Sequence, residues 1–221
     1  MAAFYPRVEN LPAEIAVFPL PGALLLPRGK LPLNIFEPRY LAMTEDALGK
    51  GRMFGMIQPD VDQPDGAMGP ALYRVGCLGR MSSFSETEDR HYLITLHGVA
   101  RFSIVRELEM CRGYRQVRAD FSMFGADLQP PDAALADRDA IQAALRDYFT
   151  HTGIDANWNA IRRLPDNMLV GTLAMLCPFA PVEKQALLEA ATEIERAATL
   201  LALLRMGSSE PDPPGTRRML S

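Results

Sequence analysis

The sharpest polar constellation in the 221 residues is Leu31-Pro-Leu-Asn-Ile-Phe-Glu-Pro-Arg-Tyr40, where the carboxylate Glu37 and the guanidinium Arg39 stand two residues apart. Such a pair can grip an ion or steer a proton. Pro32 and Pro38 hold the chain extended, and Arg39-Tyr40 open a helix running to Leu48, so at this strand-to-helix corner the simplest role for the pair is to fix the corner. Other catalytic sets are hard to assemble. No G-x-S-x-G elbow occurs, and the serines fall in a hairpin, on strands or in the tail. His91 and His97 share one face of a strand but lie about 20 Å apart, too far to hold one metal ion. His151 falls at a helix C-terminus, where a cation favours the dipole. The nearest approach to a phosphate loop, residues 22–31, has six residues between its glycines where four are needed, and Leu31 where Ser or Thr must meet magnesium. Its Arg28-Gly29-Lys30 step reads as a turn between two apolar strands. Three Asp in residues 59–70 depart from EF-hand spacing and read as a solvated loop. No catalytic residue, cofactor or metal is expected.

Composition narrows the partners. With 23 Lys plus Arg against 27 Asp plus Glu, the chain carries a formal charge of −4, which argues against nucleic acid or an anionic membrane. Arg112, Arg115 and Arg118 recur around one strand and keep an RNA-binding alternative open, although Arg115 and Arg118 point to opposite faces. Lysine occurs only at 30, 50 and 184, so candidates for lysine-based chemistry are few. Cys77, Cys111 and Cys177 are an odd number without a CxxC pair; each is expected to act as a small hydrophobe. No apolar run approaches the ~20 residues of a membrane span, and residues 1–10 lack a signal-peptide pattern, so a cytoplasmic location is expected.

The elements follow from periodicity. Seven of the 18 prolines precede Arg39 and none lies between Pro70 and Pro130, so paired strands are expected in 71–129. Residues 91–106 alternate with period two as two strands, or as one bent at Gly98. Residues 72–84 form a strand, 85–90 a hairpin turn, and 113–121 alternate again. Residues 16–20 and 53–57 are short strands, the first placed at an edge by Pro19. Six or so strands with one helix between them suggest a small closed or nearly closed β-barrel. After Pro130 the period changes. Ile141, Ala144, Leu145, Tyr148 and Phe149 mark a helix ending near Gly153, and a second starts around Asp155 with Trp158 and Ile161 inward. Asp166 caps a third whose apolar line runs through Met168, Leu169, Leu173 and Leu176. A fourth begins at Pro181, its stripe of Leu187, Ala191, Ile194, Ala198 and Leu201 continuing to Gly207. Residues 208–221 are polar and Pro-rich, and disorder is expected there. The organisation read from this is α+β: a β-barrel at 11–129, a helical bundle at 130–207 and a tail.

Phe18-Pro-Leu-Pro-Gly22 followed by Leu31-Pro-Leu-Asn-Ile-Phe-Glu-Pro-Arg-Tyr40 resembles the opening signature of the Lon protease N-terminal domain family. Gly76-Cys-Leu-Gly-Arg-Met81, Leu96-His-Gly-Val-Ala-Arg-Phe102, Leu164-Pro-Asp-Asn-Met-Leu-Val170 and Pro181-Val-Glu-Lys-Gln-Ala-Leu-Leu188 follow in order, so the likeness covers roughly 11–206. It implies a PUA-like β-barrel followed by a helical bundle, and a stand-alone bacterial version without the P-loop ATPase and Ser–Lys peptidase of full-length Lon, hence no enzyme. It further implies binding of unfolded or tagged polypeptides or of a protease partner, with self-association as an option. The binding residues expected on this basis are Phe36, Glu37, Arg39, Tyr40, Met56 and Met81, the methionines offering flexible apolar surface. The cleft between barrel and bundle is the place for an unrecognised enzymatic site, should one exist.

Overall fold

The computed structural model of the protein describes residues 7–130 and 137–208. A 3-10 turn at Val8–Asn10 precedes β1 (Glu14–Pro19) and β2 (Lys30–Ile35); α1 (Pro38–Gly49) then leads to β3 (Met53–Ile57), β4 (Val75–Glu86), β5 (Tyr92–Cys111) and β6 (Tyr114–Asp120). A 3-10 segment, Ser122–Leu128, bridges to the helices α2 (Arg138–Thr152), α3 (Trp158–Arg163), α4 (Asp166–Leu176), α5 (Pro181–Glu189) and α6 (Glu193–Gly207). The strands form one six-stranded sheet in the order β2-β5-β4-β3-β1-β6, and β6 pairs again with β5. Five strands thus close a ring of ladders, while β2 is attached to β5 from outside. Only β1 and β3 run parallel.

Side chains of the five ring strands divide between two cores. Ile15, Val17, Leu78, Ala100, Phe102 and Val117 pack with one another in the smaller. Phe102 fills so much of it that a Cβ on Gly55 or Gly76 would lie within 2.8 Å of its ring, which is why both positions are glycine. Phe18, Phe54, Met56 and Met81, of opposite parity on their strands, and Leu96, on the other side of the β5 bulge, join Tyr40 and Met43 of α1, Leu145 of α2, Leu173 of α4, Leu187 of α5 and Leu200 of α6 in the larger core. Strands and helices therefore share one apolar interior.

Residues 92–111 are one strand. Leu78 and Gly79 of β4 face Ala100 and Gly98, leaving Val99 as the extra residue of a bulge. A side chain at Gly98 would overlap the Leu26 carbonyl, so the bend also seats residues 26–29 against the sheet.

Several expectations are corrected. β1 is not an edge strand: it lies between β3 and β6, and Pro19 is tolerated because it is the last residue, the next ladder bond being Leu20 N–H to the Ile57 carbonyl at 3.0 Å. Residues 23–26 are irregular rather than a strand, and Leu24, Leu25 and Leu26 are buried. α3 starts at Trp158 rather than around Asp155, because Asn157 caps it by accepting from Ala160 N–H at 3.0 Å. Asp166 is the first residue of α4 and pairs with Arg138 instead of capping. The single helix expected after Pro181 is two. Thr192 accepts from Glu195 N–H at 3.1 Å as the N-cap, the Glu195 carboxylate accepts from Ala191 N–H at 3.0 Å one residue before it, and this reciprocal cap restarts the chain as α6. Ile194 consequently faces solvent, and Arg196, Ala197, Leu200 and Leu204 face inward. The expected tail lies outside the described residues but for Ser208, as do residues 131–136 at the change of period.

Candidate functional site

Helix α4 is apolar on more than one side. Leu169, Val170, Leu173 and Ala174 are buried, which leaves Met168, Thr172, Met175 and Leu176 on a face that nothing fully covers; Met168 is 46% exposed and Leu176 75%. A surface helix with an apolar stripe wider than its core contact presents an unpartnered face. Opposite it runs residues 26–32. Buried Leu24, Leu25 and Leu26 anchor this segment. It then turns at Pro27-Arg28, with Arg28 in the left-handed region (φ 66°). The turn is clamped to the sheet by Arg28 N–H to Gly98 O at 2.8 Å, Gly98 N–H to Gly29 O at 2.9 Å, and His97 Nε2 against the Arg28 carbonyl at 3.2 Å. A Cβ on Gly29 would stand 2.4 Å from Met175 Sδ, so the two walls approach closely at this point.

Between the two walls lies a groove of about 310 Å³. Leu31, Pro32, Leu164, Met168, Met175 and Leu176 supply its apolar surface. That volume suits a few side chains rather than an extended cofactor. At one end Glu193 holds Arg196 through a 2.7 Å bond and stands 4.0 Å from Arg28. Arg196 Nε is spent on the Leu187 carbonyl at 2.8 Å, and Arg28 Nη2 on the Gln129 carbonyl at 2.9 Å. Arg28 Nε is buried without an acceptor among the described residues. Lys30 is exposed and makes no ion pair among them. The groove can seat apolar groups and present cations beside them. Its lining contains no Ser, Cys or His among the described residues, and these residues contain no group of three or more His, Cys, Asp or Glu able to hold a metal.

The six residues expected from sequence divide into two sets, and none lines the groove. Phe36, Glu37 and Arg39 gather at the β2–α1 corner. Phe36 is 58% exposed and tilts against His91, ring centroids 5.8 Å apart. Arg39 Nε donates to Glu37 Oε2 at 3.0 Å and its guanidinium lies 4.5 Å from the Tyr40 ring centre, so the pair braces the corner as its spacing suggests. Tyr40, Met56 and Met81 are core residues, each at most 5% exposed, and offer a partner no surface. Tyr40 packs on Phe18 at 4.1 Å, and burial raises its phenol above the ordinary value. Other methionines border the groove, Met168 exposed and Met175 half-buried. The hint in the sequence was α4 itself, whose run Met168-Leu-Val-Gly-Thr-Leu-Ala-Met-Leu176 is apolar on every side and cannot bury all of it. Taking Met168 and Leu176 as inward residues missed this.

Three further expectations bear on chemistry. Cys77 and Cys177 are buried, and burial lifts both thiols, Cys177 to about 12, out of the thiolate range. Lys184 is buried, with its Nζ donating to the Gly22 carbonyl at 2.7 Å, and burial lowers its value. The arginines around β6 form no free basic stripe: Arg112 bonds Glu45 and Asp46 at 2.8 Å, and Arg115 is buried against Glu107. No helix among the described residues is long and apolar enough to cross a membrane.

Comparison with known proteins agrees on one family. The family model for the ATP-dependent protease La (LON) substrate-binding domain matches residues 14–206. Lon protease 2 of Sorangium cellulosum (strain So ce56) is 32% identical over 95 residues, 41% of this chain and 11% of that protein. Lon protease 2 of Myxococcus xanthus is 25% identical over 112 residues, 51% of this chain and 13% of that protein. The chain thus matches only a small part of these relatives' length. Among solved structures, a Lon N-terminal domain protein from Xanthomonas campestris superposes with a TM-score of 0.59 at 23% identity, covering 86% of this chain and 97% of that one. The N-terminal domain of a Mycobacterium avium complex Lon protease gives 0.55 at 15% identity, covering 89% and 98%. These two establish likeness of fold.

Proposed function

Since this chain belongs to the Lon substrate-binding domain family, we propose that it binds polypeptide segments in the groove between α4 and residues 26–32 and performs no chemistry on them. The observation that carries this reading is the apolar face of Met168, Met175 and Leu176, left open beside a wall that its hydrogen bonds hold rigid. Methionine suits the task because its unbranched thioether repacks around different side chains. The ring of strands we read as a PUA-like β-barrel spanning 11–129, and residues 130–207 as the helical bundle that supplies α4. On this reading the protein works in the cytoplasm as a binding module for unfolded or tagged chains or for a protease partner, and self-association through the same face is open to it.

The test is fluorescence anisotropy of a labelled Leu-rich, unstructured peptide titrated with the full chain. Binding in the micromolar range is expected. Met168→Asp and Leu176→Asp should each weaken it at least about tenfold with no loss of thermal stability, since exposed positions contribute little to folding. Absence of binding by folded protein overturns the reading. A drop on Phe36→Ala with none on Met168→Asp overturns the groove in favour of the β2–α1 corner.

A further inference from the structure

The charges along the groove are unequal in a chain whose net charge is −4. Arg28, Lys30 and Arg196 stand in its lining against the single carboxylate of Glu193. Glu193 is shared: it bonds Arg196 at 2.7 Å and approaches Arg28 at 4.0 Å. Arg196 gives Nε and Nη2 to backbone carbonyls and Arg28 gives Nη2 to the Gln129 carbonyl, so one carboxylate serves three cations and the least engaged of them is Lys30, with Arg28 beside it. Both lie on the 26–32 wall, facing the apolar wall of α4.

Resting on the groove reading above, we propose that the groove selects polypeptide segments in which an Asp or Glu carboxylate adjoins apolar side chains. The apolar residues lie on Met168, Met175 and Leu176, and the carboxylate is drawn to Lys30 and Arg28. Cations on one wall and methionines on the other distinguish acidic-apolar segments from purely apolar ones by charge. They distinguish them from basic ones by repulsion.

The experiment compares three fluorescein-labelled peptides of identical length and leucine content, carrying Glu, Gln or Lys at the same two central positions, each titrated with the full chain. The Glu peptide is expected to bind about fivefold more tightly than the Gln peptide, the gain of a partly exposed charge contact, and the Lys peptide more weakly than either. Raising salt from about 0.05 M to about 1 M should shrink the Glu-over-Gln ratio toward one. Lys30→Gln should shrink it at low salt, and Glu193→Gln, which removes the competing carboxylate, should enlarge it. Equal binding of all three peptides overturns the charge selection and leaves the groove reading standing. Failure of every peptide to bind removes both.

Discussion

Tyr114 donates its hydroxyl to Asp46 at 2.8 Å, and Arg112 adds a guanidinium bond of the same length. The Tyr114 hydrogen bond is the main reason that the Asp46 carboxyl titrates below its ordinary value. A folded value below the unfolded one means the associated stability is fully present above the unfolded value of ~4. It is lost as pH falls through the lower, folded value. In Tyr114→Phe the Asp46 carboxyl is expected to titrate higher by NMR, and the acid side of the urea-midpoint profile to flatten; an unmoved Asp46 titration would refute the assignment. The two polar pairs show what sequence makes legible at this scale. Glu37 and Arg39 are two residues apart and meet through local backbone alone. Asp46 and Tyr114 are 68 apart, and no pattern within either segment announces the other.

Gly98 does for β5 what no periodicity could specify. Alternation over residues 91–106 marks strand, and the glycine marks a bend or a break between two strands, both readable; that the strand runs unbroken to Cys111 is seen only in the fold. That the missing side chain makes room for the Leu26 carbonyl is not readable either, because Leu26 belongs to an irregular segment with no period of its own. Gly98→Ala is expected to cost about 1–3 kcal/mol in urea unfolding, the range for overpacking. It should also weaken peptide binding by displacing the 26–29 lip; full stability in this variant would show that the lip yields freely. The break between α5 and α6 failed for a different reason. Thr192-Glu-Ile-Glu195 has the T-x-x-E pattern of a helix start in plain sight, but the apolar spacing of 187, 191, 194, 198 and 201 runs straight through it and reads as one helix. Local hydrogen-bond chemistry won over a stripe whose member Ile194 is exposed.

Across the whole molecule, Arg101 ties the two kinds of structure together. From β5 it bonds Asp127 through Nε and Nη2 at 2.9 Å each and gives Nη1 to the carbonyls of Leu188 at 3.1 Å and Ala190 at 2.6 Å. Its guanidinium also lies 4.9 Å from the centre of the Phe124 ring. The change of period near residue 130 was readable as strands giving way to helices. That both would share one core was not, since periodicity tells which face is apolar but not what it meets. Arg101→Met alone is expected to cost about 3–5 kcal/mol by leaving the Asp127 charge buried. Arg101→Met with Asp127→Leu should cost less than the two single changes summed, by about 0.5–3 kcal/mol. The sole tryptophan, Trp158 in α3, reports unfolding by fluorescence, and strict additivity would exclude the coupling. The same guanidinium sets a timetable for birth on the ribosome. Arg101 precedes Ala190 by 89 residues, so at ~5–20 residues per second a nascent chain carries that side chain for about 4–18 s before its last acceptor has been synthesised. For that interval the strand residues of the larger core have no α5 or α6 to cover them, since Leu187, Leu200 and Leu204 come later in the chain.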